Sequence, residues 1–528
     1  MRKPVNKWVV AVSVSFGTLM GAIDASIVNV AIPHLQGALG ATLQEVTWVT
    51  TGFTIANVVV MPLTAFLASL FGQKRVYMSC LGLFLVGSLF CGTARSLGML
   101  VFFRAIQGLG AGALQPTEQA ILRQTFPPRE QGMAMALFGM AVMVGPAVGP
   151  TLGGYIVDNL SWPWIFFINL PVGVLGLSLV WRFVHEPEDI KAANRARAEL
   201  QKKNMDWAGI ALLSVGVALL QYVLEEGNTD DWFHSPLICV LSGISVLCLV
   251  AFILTELSVK VPAVRIQLFK DKTFLAGTLI SGTMFAVMLA NMFLLPVFMQ
   301  ELLGYSATQS GIALMPRVLA MMVVVPFVGR LYNHIEPRLM VVFGVSMQVL
   351  GAFYMSRFTL QISTWGIVFP LVVQGIGMAC LFVPLTTAAI STIPRTQLSD
   401  ATGLYSLSRQ IGGSFGLAIF ATLLTNFHIR NEAMLKGHLS VTSTLVRERM
   451  AMLAHAFSAL GRGEGAAHTA ALEALSGIVS QQAMVLAFEK TFLLGGITFL
   501  CVLPIVFFLK ADKASRRGSH APEIHAEA

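Results

Sequence analysis

Charged side chains are scarce in this sequence: Lys, Arg, Asp and Glu together make up 12% of its 528 residues. Soluble domains carry about 25% charged residues, so the composition argues against a soluble enzyme. The six cysteines show no paired spacing and indicate neither a disulfide framework nor a metal site. The sequence also lacks a G-x-x-x-x-G-K-S/T phosphate loop and any catalytic constellation. We therefore expect no enzyme activity, no cofactor and no drive by ATP.

Long apolar runs dominate instead, and 55% of the residues are hydrophobic. A helix that crosses a bilayer needs about 20 apolar residues. Runs of that length predict an all-α polytopic membrane protein with fourteen transmembrane helices. The predicted spans are 8–33, 45–71, 76–95, 98–123, 130–157, 163–183, 207–225, 236–256, 273–303, 308–333, 338–358, 364–391, 399–427 and 489–510. The first run contains Asp24 and is too long for a cleaved signal peptide, so we expect it to remain as a span.

The basic residues indicate how these spans are oriented. They fall in alternate loops, whereas the short loops between them carry no Lys or Arg; these are 34–44, 96–98, 158–162, 226–235 and 304–307. By the positive-inside rule, both termini are expected in the cytoplasm of a bacterial cell, with the chain in its inner membrane. The net charge of +8 is explained by these loops, so no nucleic-acid partner is expected.

Two segments are too long to be simple loops. Residues 184–206 are rich in charge and predict a cytoplasmic linker. Residues 428–488 are predicted to lie outside the membrane and place Leu, Met and Ala at helical spacing. Two interpretations remain open for this external segment: an amphipathic cap lying on the membrane surface, or a docking element for a periplasmic partner.

Features of the first half recur in the second half at a nearly constant offset. Pro33, Pro62 and Gln107-Gly108-Leu109-Gly110 return as Pro296, Pro326 and Gln374-Gly375-Ile376-Gly377, at offsets of 263, 264 and 267 residues. The repeat predicts a six-helix bundle at 1–183 and a second at 273–510, the latter carrying the external segment. Between them lie the linker at 184–206, two inserted helices at 207–256 and a cytoplasmic loop at 257–272, and a tail follows at 511–528. Two such bundles can alternate access to a site between them.

Three motifs relate the chain to a known family. They are GAIDASIVNVAIP in the first helix, FFRAIQGLGAG in the fourth and GMAVMVGPAVGPTLGG in the fifth. With these motifs the sequence resembles, over essentially its whole length, the fourteen-helix drug:proton antiporters of the major facilitator superfamily, EmrB/QacA type. The resemblance implies a major facilitator fold and proton-coupled export of hydrophobic, often cationic or amphipathic compounds. In a double-membrane bacterium it also implies a periplasmic membrane-fusion adaptor and an outer-membrane channel as partners.

One motif departs from the superfamily pattern. The loop between the second and third helices normally reads G-x-L-A-D-R-x-G-R/K, but this chain has Ala65 and Ser69 at the first glycine and the acidic position. Gly72, Lys74 and Arg75 are retained. A gating role of the missing carboxylate therefore cannot be assigned to Ser69.

Asp24 and Arg104 are the leading candidates for proton coupling. A carboxylate in a bilayer is costly unless it is paired or neutral, so Asp24 is expected to face the bundle interior. Counting about 1.5 Å per residue from the cytoplasmic ends of their helices places Arg104 at a similar depth, with Gln107 on the same face. The alternative is a structural ion pair. Glu118 lies about four turns beyond Arg104 and is a further proton-site candidate, or a residue in wet protein near a helix end.

The remaining candidates concern packing and the substrate pathway. The glycines and prolines of the fifth helix are expected to form a groove for a neighbouring helix; they are Gly145, Pro146, Gly149, Pro150, Gly153 and Gly154. The predicted substrate-pathway residues are Asn29, Gln107, Met284, Phe285, Met288, Asn291, Arg317, Gln374 and Arg409. Arg317 and Arg409 are interpreted as serving either structure or an anionic substrate. The methionines and phenylalanines are interpreted as packing residues or as the lining of a soft drug cavity.

Two other functions compete with drug export. The chain could export one endogenous metabolite, fatty acid or lipid. A membrane-embedded enzyme or receptor is a different class, and it predicts a cluster of catalytic or metal-ligand residues at one depth. The sequence shows no such cluster, so small-molecule drugs and protons are the expected ligands.

Overall fold

The computed structural model of the protein describes residues 6–203, 205–259, 261–439, 443–460 and 463–509. Within these ranges the chain is helical and contains no β-strand. Helices suit a bilayer because each satisfies its own backbone hydrogen bonds, whereas an open strand edge would leave them unpaired in lipid. The predicted tail at 511–528 lies outside the described residues.

The N-terminal half forms a bundle of six membrane-crossing elements. Its helices are α1 (Lys7–Leu39), α2 (Leu43–Phe71), α3 (Gln73–Gly92), α4 (Leu97–Gly112), α5 (Leu114–Thr125), α6 (Gln131–Asn159), α7 (Trp164–Phe167) and α8 (Asn169–Phe183). A single turn residue, Ala113, separates α4 from α5, and the two together make the fourth element. In the same way α7 and α8 make the sixth.

Three helices connect the two halves: α9 (Glu188–Lys203), α10 (Trp207–Glu226) and α11 (Pro236–Ser258). α10 packs against α2 of the N-terminal bundle and against α11. α11 is almost wholly exposed along one apolar face, which includes Val246, Leu247 and Leu254. An apolar face of this kind is stable against lipid rather than water.

The C-terminal half repeats the six-element bundle. Its helices are α12 (Lys272–Val297), α13 (Ala307–Leu331), α14 (Pro337–Met355), α15 (Thr364–Ala388), α16 (Leu398–Gly437), α17 (Thr444–Ala459) and α18 (Glu464–Val506). α12 continues into one π-helical turn, Phe298–Leu302. Six of these elements cross the membrane, and α17 is the additional one.

Every predicted span coincides with one of these helices or with a consecutive pair. Among the described residues, thirteen helices have the length and apolarity needed to cross a membrane. The remaining predicted span, 130–157, corresponds to α6, which is 29 residues long. The predicted all-α polytopic architecture of two six-helix bundles and two inserted helices is confirmed.

The glycine contacts show how closely the halves repeat. A Cβ on Gly108 would overlap the carbonyl of Phe53 in α2, and a Cβ on Gly375 would overlap the carbonyl of Arg317 in α13. Gly110 and Gly377 approach α3 and α14 in the same way. Glycine removes the side chain that would otherwise hold two helices apart. The repeated Gln-Gly-x-Gly motif is thus a packing device used once in each bundle.

The two bundles meet at one end of the helices, here called the basic end because Lys7, Lys74 and Arg123 lie there. Arg123 donates to the carbonyl of Thr387 at 2.7 Å, and the Gln73 amide donates to the Ser399 hydroxyl at 2.5 Å. Arg395 also donates to the Gln124 carbonyl and Asn333 to the Arg129 carbonyl at this end, and Arg409 donates to Gln115 deeper between the bundles. The two bundles are therefore joined at the basic end, where Arg123 and Arg395 also line a cavity of about 990 Å³.

The linker at 184–206 is more ordered than the predicted charged connection. Most of it forms α9, which lies across the basic end and contacts both bundles. Arg197 makes two hydrogen bonds to the Asp400 carboxylate of α16, at 2.7 and 3.0 Å. On the N-terminal bundle, the Ser69 hydroxyl donates to Gln201 at 2.5 Å. The position that lost the superfamily's acidic residue thus contacts the linker helix.

The external segment at 428–488 is not a separate cap. α16 runs unbroken to Gly437, and α18 begins at Glu464, 25 residues before the predicted start of the last span. At about 1.5 Å per residue, helices of 40 and 43 residues are roughly 60 Å long, twice the ~30 Å hydrocarbon core. The cap was one of the two open interpretations, and the continuous courses of α16 and α18 do not fit it at the ends of these helices. Their outer turns are amphipathic, so the bilayer-length hydrophobicity rule missed them.

Candidate functional site

A buried ion pair lies in the N-terminal bundle, between α1 and α4. Arg104 Nη1 is 2.6 Å from Asp24 Oδ2, and the two side chains are 1% and 0% exposed. The predicted contact at matching depth is present. The Arg104 Nε donates to the carbonyl of Val49 at 3.0 Å, and the guanidinium lies 4.2 Å from the centre of the Phe53 ring. The arginine is therefore held by a charge, a carbonyl and an aromatic face at once.

Neutral polar groups complete the environment of the Asp24 carboxylate. Gln107 Nε2 and Asn169 Nδ2 both donate to Asp24 Oδ1, at 2.9 and 2.7 Å. Asn169 also donates to the Ser88 hydroxyl at 3.0 Å, and Ser88 in turn donates to the Phe166 carbonyl at 2.9 Å. Every oxygen of the buried carboxylate is paired. Such a fully connected network fixes the position of the carboxylate between α1, α4 and α8.

Asn169 was missed by the sequence analysis. It is the first residue of α8, directly after the short helix α7, and it is buried. It lies in the segment WPWIFFINLPVG. An amide inside a predicted span was the available signal, because a buried polar group in lipid needs a partner.

A cavity of about 200 Å³ lies beside the ion pair, and most of its lining residues lie between that pair and the basic end. Arg104 and the predicted pathway residue Asn29 line it, together with Thr50, Thr54 and Asn57 of the N-terminal bundle. Its full lining is Gly17, Thr18, Gly21, Ala22, Ala25, Asn29, Thr50, Phe53, Thr54, Asn57, Met61, Arg104, Ala111, Leu114, Gln115 and Gln410. Gln410 comes from α16, so the cavity borders the boundary between the bundles.

Glu118 of α5 contacts α1, the helix that carries Asp24, but occupies a different environment. The Ser15 hydroxyl donates to Glu118 Oε1 at 2.8 Å, and the other carboxyl oxygen has no hydrogen-bond partner among the described residues. The side chain is fully buried, and no ion pair in the described part of the chain includes it. Asp24 is thus a compensated carboxylate, whereas Glu118 is buried without a cation.

Arg409 of α16 is buried among aromatic rings at the boundary between the bundles. Its guanidinium carbon lies 4.4 Å from the ring centre of Phe285, 5.9 Å from that of Phe138 and 6.0 Å from that of Phe382. Nη2 donates to the Gln115 side-chain oxygen, and Nη1 has no partner among the described residues. The structure therefore places an arginine, one half of which is unsatisfied, next to the central cavity.

The other predicted pathway residues are distributed through the C-terminal bundle. Gln374 Nε2 contacts the Met355 sulfur at 3.2 Å, and its side-chain oxygen has no partner within the described ranges. Asn291 is buried in α12. Met284 and Met288 are also buried, and both pack in the hydrophobic core rather than at the cavity surface of this conformation. Their role as a drug lining stays a prediction.

The glycines of α6 pack against α1, next to the ion pair. A Cβ on Gly145 would overlap the backbone of Ala22, and one on Gly149 would overlap Ser26. Gly153 is less tight, with its nearest contact to Ile27 at 3.3 Å, and Gly154 has no neighbour within 4 Å. Pro146 and Pro150 lie in the helix, and their side chains fall outside the described part of the structure. The predicted glycine groove is thus present at three of its four glycine positions.

Comparisons with known proteins agree with this arrangement. The family model described as "Major Facilitator Superfamily" matches residues 14–417 of this chain. The multidrug export protein EmrB of Haemophilus influenzae is 32% identical over 94% of each chain. The fatty acid resistance protein FarB of Neisseria gonorrhoeae is 32% identical over 97% of each chain, and EmrB of Escherichia coli K12 is 32% identical over 95% of each chain.

Solved structures share the fold at low sequence identity. The proton:xylose symporter XylE, bound to 6-bromo-6-deoxy-D-glucose, superposes with a TM-score of 0.61 at 12% identity, covering 94% of this chain and 96% of that chain. The human organic anion transporter MFSD10 gives a TM-score of 0.59 at 14% identity, covering 94% and 99%. From the helix arrangement, the family match and the relatives of nearly equal length, the chain belongs to the Major Facilitator Superfamily and is an EmrB-like membrane transporter.

Proposed function

We propose that this protein is a proton-coupled exporter of drugs in which Asp24 carries the coupled proton. The observation that carries the proposal is the buried Asp24–Arg104 pair, 2.6 Å apart, with Arg104 at the wall of the central cavity. A carboxylate in this position is ionised while the arginine holds it, and neutral once a proton takes the arginine's place. The cavity gives protons and substrate a common route to the pair.

The cycle follows from the contacts at the basic end. With the termini in the cytoplasm, as the distribution of Lys and Arg supports, the end at which the bundles are joined is the cytoplasmic side, and we take this conformation as the one closed to the cytoplasm. A proton arriving from outside neutralises Asp24 and releases Arg104, so the contacts between α1 and α4 change. The bundles then rock to open the basic end, where the proton leaves and substrate enters.

Asp24→Asn tests the proton-carrying role. Asparagine keeps the size of the side chain but cannot gain or lose a proton, so the variant should bind drug and lose uphill export. The measurement is drug accumulation in proteoliposomes with an imposed pH gradient, with downhill exchange recorded in parallel. Asp158→Asn is the matched control, because Asp158 is a carboxylate 67% exposed at the end of α6.

The result that would contradict this proposal is uphill accumulation by Asp24→Asn at normal expression. Glu118 would then be the second candidate, since it is a fully buried carboxylate that no arginine neutralises within the described residues. Glu118→Gln separates the two: it should retain proton-driven export if Asp24 is the carrier, and lose it if Glu118 is.

We place the protein in the inner membrane of a bacterium with both termini in the cytoplasm. The support is the absence of Lys and Arg from the short loops of the opposite face. Reporters fused after residue 195 and residue 515 should be cytoplasmic, and a reporter near residue 460 periplasmic. A periplasmic reporter at residue 195 would overturn this topology.

We propose further that the outer ends of α16 and α18, together with α17, dock a periplasmic adaptor that leads to an outer-membrane channel. These helices present large apolar side chains to solvent at their outer end: Leu445 is 76% exposed and Leu460 is also 76% exposed, as are Met452 and Leu472 to a lesser degree. Exposed apolar residues of this kind mark a surface that a partner covers.

Removing this extension tests the docking role without disturbing the pump. Asn431 donates to the Ala483 carbonyl at 3.2 Å, so α16 and α18 are adjacent there and a short Gly/Ser connection can replace residues 433–480. The shortened protein should keep transport in proteoliposomes and lose drug resistance in a double-membrane host. Equal loss in both assays would show that the extension serves folding or transport itself.

A fatty acid or other lipid-like metabolite is the second candidate substrate. The observation in its favour is that one relative at 32% identity is named a fatty acid resistance protein. A substrate panel in proteoliposomes, containing drugs and long-chain fatty acids under one pH gradient, distinguishes a dedicated metabolite exporter from a drug exporter.

A further inference from the structure

Arg409 is a buried cation for which the described residues provide no counter-charge. It is 4% exposed, and none of the ion pairs formed in the described ranges includes it. Arg104, a buried arginine of the N-terminal bundle, is by contrast matched by Asp24. A buried charge without a partner is costly, and such a cost persists in a protein mainly where the charge has a use.

The surroundings of Arg409 are suited to an amphipathic anion. Phe138, Phe285 and Phe382 come from α6, α12 and α15, and they surround the guanidinium with apolar surface from both bundles. Such rings accept an apolar or aromatic body while the guanidinium accepts the charge. A guanidinium also presents two parallel N–H groups that match the two oxygens of a carboxylate.

Gln115 contacts one of the two terminal nitrogens of the Arg409 guanidinium. Its side-chain oxygen accepts from Arg409 Nη2, whereas Arg409 Nη1 has no partner among the described residues. Gln115 also lines the central cavity, so the amide stands between the guanidinium and the space open to substrate. A carboxylate entering from the cavity can displace this one amide oxygen and satisfy both nitrogens.

We infer that Arg409 is the anion-binding residue of the substrate site, and that the substrates include amphipathic organic carboxylates, whose charged group displaces Gln115 from the guanidinium. The inference rests on the proposed export function and narrows its substrate class. It assigns substrate recognition to the C-terminal bundle, separate from the Asp24–Arg104 pair.

Equilibrium binding in neutral phosphatidylcholine nanodiscs tests the inference without any proton gradient. The probes are dodecanoate and dodecyltrimethylammonium, which share a twelve-carbon chain and differ in the sign of the charge; empty nanodiscs give the lipid background. Arg409→Gln should weaken dodecanoate binding roughly tenfold or more, since it removes hydrogen bonds to a charged group. The affinity for dodecyltrimethylammonium should be unchanged or higher.

Two further variants separate recognition from folding. Arg409→Lys keeps the positive charge but loses the two parallel donors, so dodecanoate binding should be intermediate. Gln115→Ala removes the competing amide, and dodecanoate should bind more tightly than to the wild type. Arg357→Gln is the control, because it removes an exposed arginine of the C-terminal bundle that is outside the aromatic cluster, and it should leave the preference for dodecanoate unchanged.

Thermal unfolding of the same samples separates recognition from a structural role. If Arg409 served only the structure, its substitution would lower the Tm. Arg409→Gln removes a buried charge without a counter-charge, so its Tm should be equal to or above that of the wild type while dodecanoate binding falls. A lower Tm with equal loss of both probes would overturn the inference, and so would a wild-type protein that fails to bind dodecanoate. If the wild type binds dodecanoate through Arg409 but shows no proton-driven export, the proposed transport cycle is overturned and the inference about Arg409 is not.

Discussion

The two bundles share their packing and differ in their chemistry. Gly145 and Gly149 bring α6 onto α1 at Ala22 and Ser26, and Gly412 and Gly416 bring α16 onto α12 at Gly282 and Ala286. Aligning the two halves on these glycine contacts pairs Ala22 with Gly282 and Ser26 with Ala286. Met284 is then the counterpart of Asp24. The Gln-Gly-x-Gly repeat likewise makes Leu371 the counterpart of Arg104. The N-terminal ion pair therefore corresponds to two apolar side chains, Met284 and Leu371, which are both fully buried in the other half.

This difference separates scaffold from function. Glycine contacts recur because both bundles need the same close approach of helices, and a substitution there would disturb either half. The charge pair occurs once because a single protonatable site is sufficient to couple one proton route to one cycle. Arg409 is the opposite case, because it is a charged residue of the C-terminal bundle whose N-terminal counterpart, by the same alignment of glycine contacts, is the apolar Val142. Each half thus contributes one charged site to an otherwise repeated frame.

The largest expected effect comes from making the N-terminal half resemble the C-terminal half. Arg104→Leu alone leaves Asp24 buried and unpaired, so the free energy of unfolding should fall by about 3–5 kcal/mol. Adding Asp24→Met should restore most of that stability, because an apolar pair fills the same position in the other bundle, while uphill transport stays absent. Thermal unfolding and proton-driven uptake measure the two properties. A double variant that transports uphill would show that the pair is only structural.

The next effect tests the shared packing. Gly149→Ala and Gly416→Ala should each lower the free energy of unfolding by about 1–3 kcal/mol, because the added methyl group meets Ser26 or the backbone of Ala286. Gly154→Ala is the matched control: nothing lies within 4 Å, so it should be neutral or stabilising by up to about 1 kcal/mol. Unequal losses in the two halves would contradict the repeat as a packing device.

A smaller effect is expected where the linker helix joins the bundles. Arg197→Gln leaves Asp400 buried without its arginine, and should weaken closure of the basic end by roughly 1–2 kcal/mol, since Arg197 is partly exposed. The rate of maleimide labelling at Gln124→Cys, in a cysteine-free background, measures this opening. Lys191→Gln, which removes an exposed pair on the same helix, is the control. Unchanged labelling would show that the Arg197 contact does not hold the closed state.

The smallest effect concerns the departure at Ser69. Ser69→Asp restores the acidic residue of the superfamily motif, and the Gln201 amide nitrogen, which has no partner in the described ranges, can donate to it. The transport rate should change little, because the linker helix already joins the bundles through the contact between Ser69 and Gln201. A large gain in transport would show that the missing carboxylate limits this protein.

Local sequence patterns predicted the membrane-crossing elements and the Asp24–Arg104 contact. Both depend on quantities that the chain carries locally: apolar length for the spans, and counted depth along a helix for the pair. Asn169 was missed because its partners, Asp24 and Ser88, are distant in sequence, and an amide inside a predicted span signals only that some partner is needed. Its contribution exists only after α1, α3 and α8 have packed.

The remaining features depend on tertiary packing. The rings around Arg409 come from three helices that no sequence spacing relates, so only the unusual charge itself could be noted. The linker helix shows the same limit: its charges predicted exposure to water, but its contacts with Ser69 and Asp400 depend on where both bundles end. The outer turns of α16 and α18 were missed for a third reason, since a helix that leaves the bilayer loses the hydrophobicity by which spans are recognised.

The uninterrupted course of α16 and α18 has a mechanical consequence. Because neither helix has a hinge between its membrane part and its outer part, a tilt of the C-terminal bundle is transmitted undiminished to the tip. A tilt of about 10° would move a point roughly 30 Å beyond the membrane by about 5 Å, given the ~1.5 Å rise per residue. A protein bound at Leu445 or Leu460 would sense each half-cycle as a displacement. The extension would therefore transmit each tilt of the C-terminal bundle to a protein bound there.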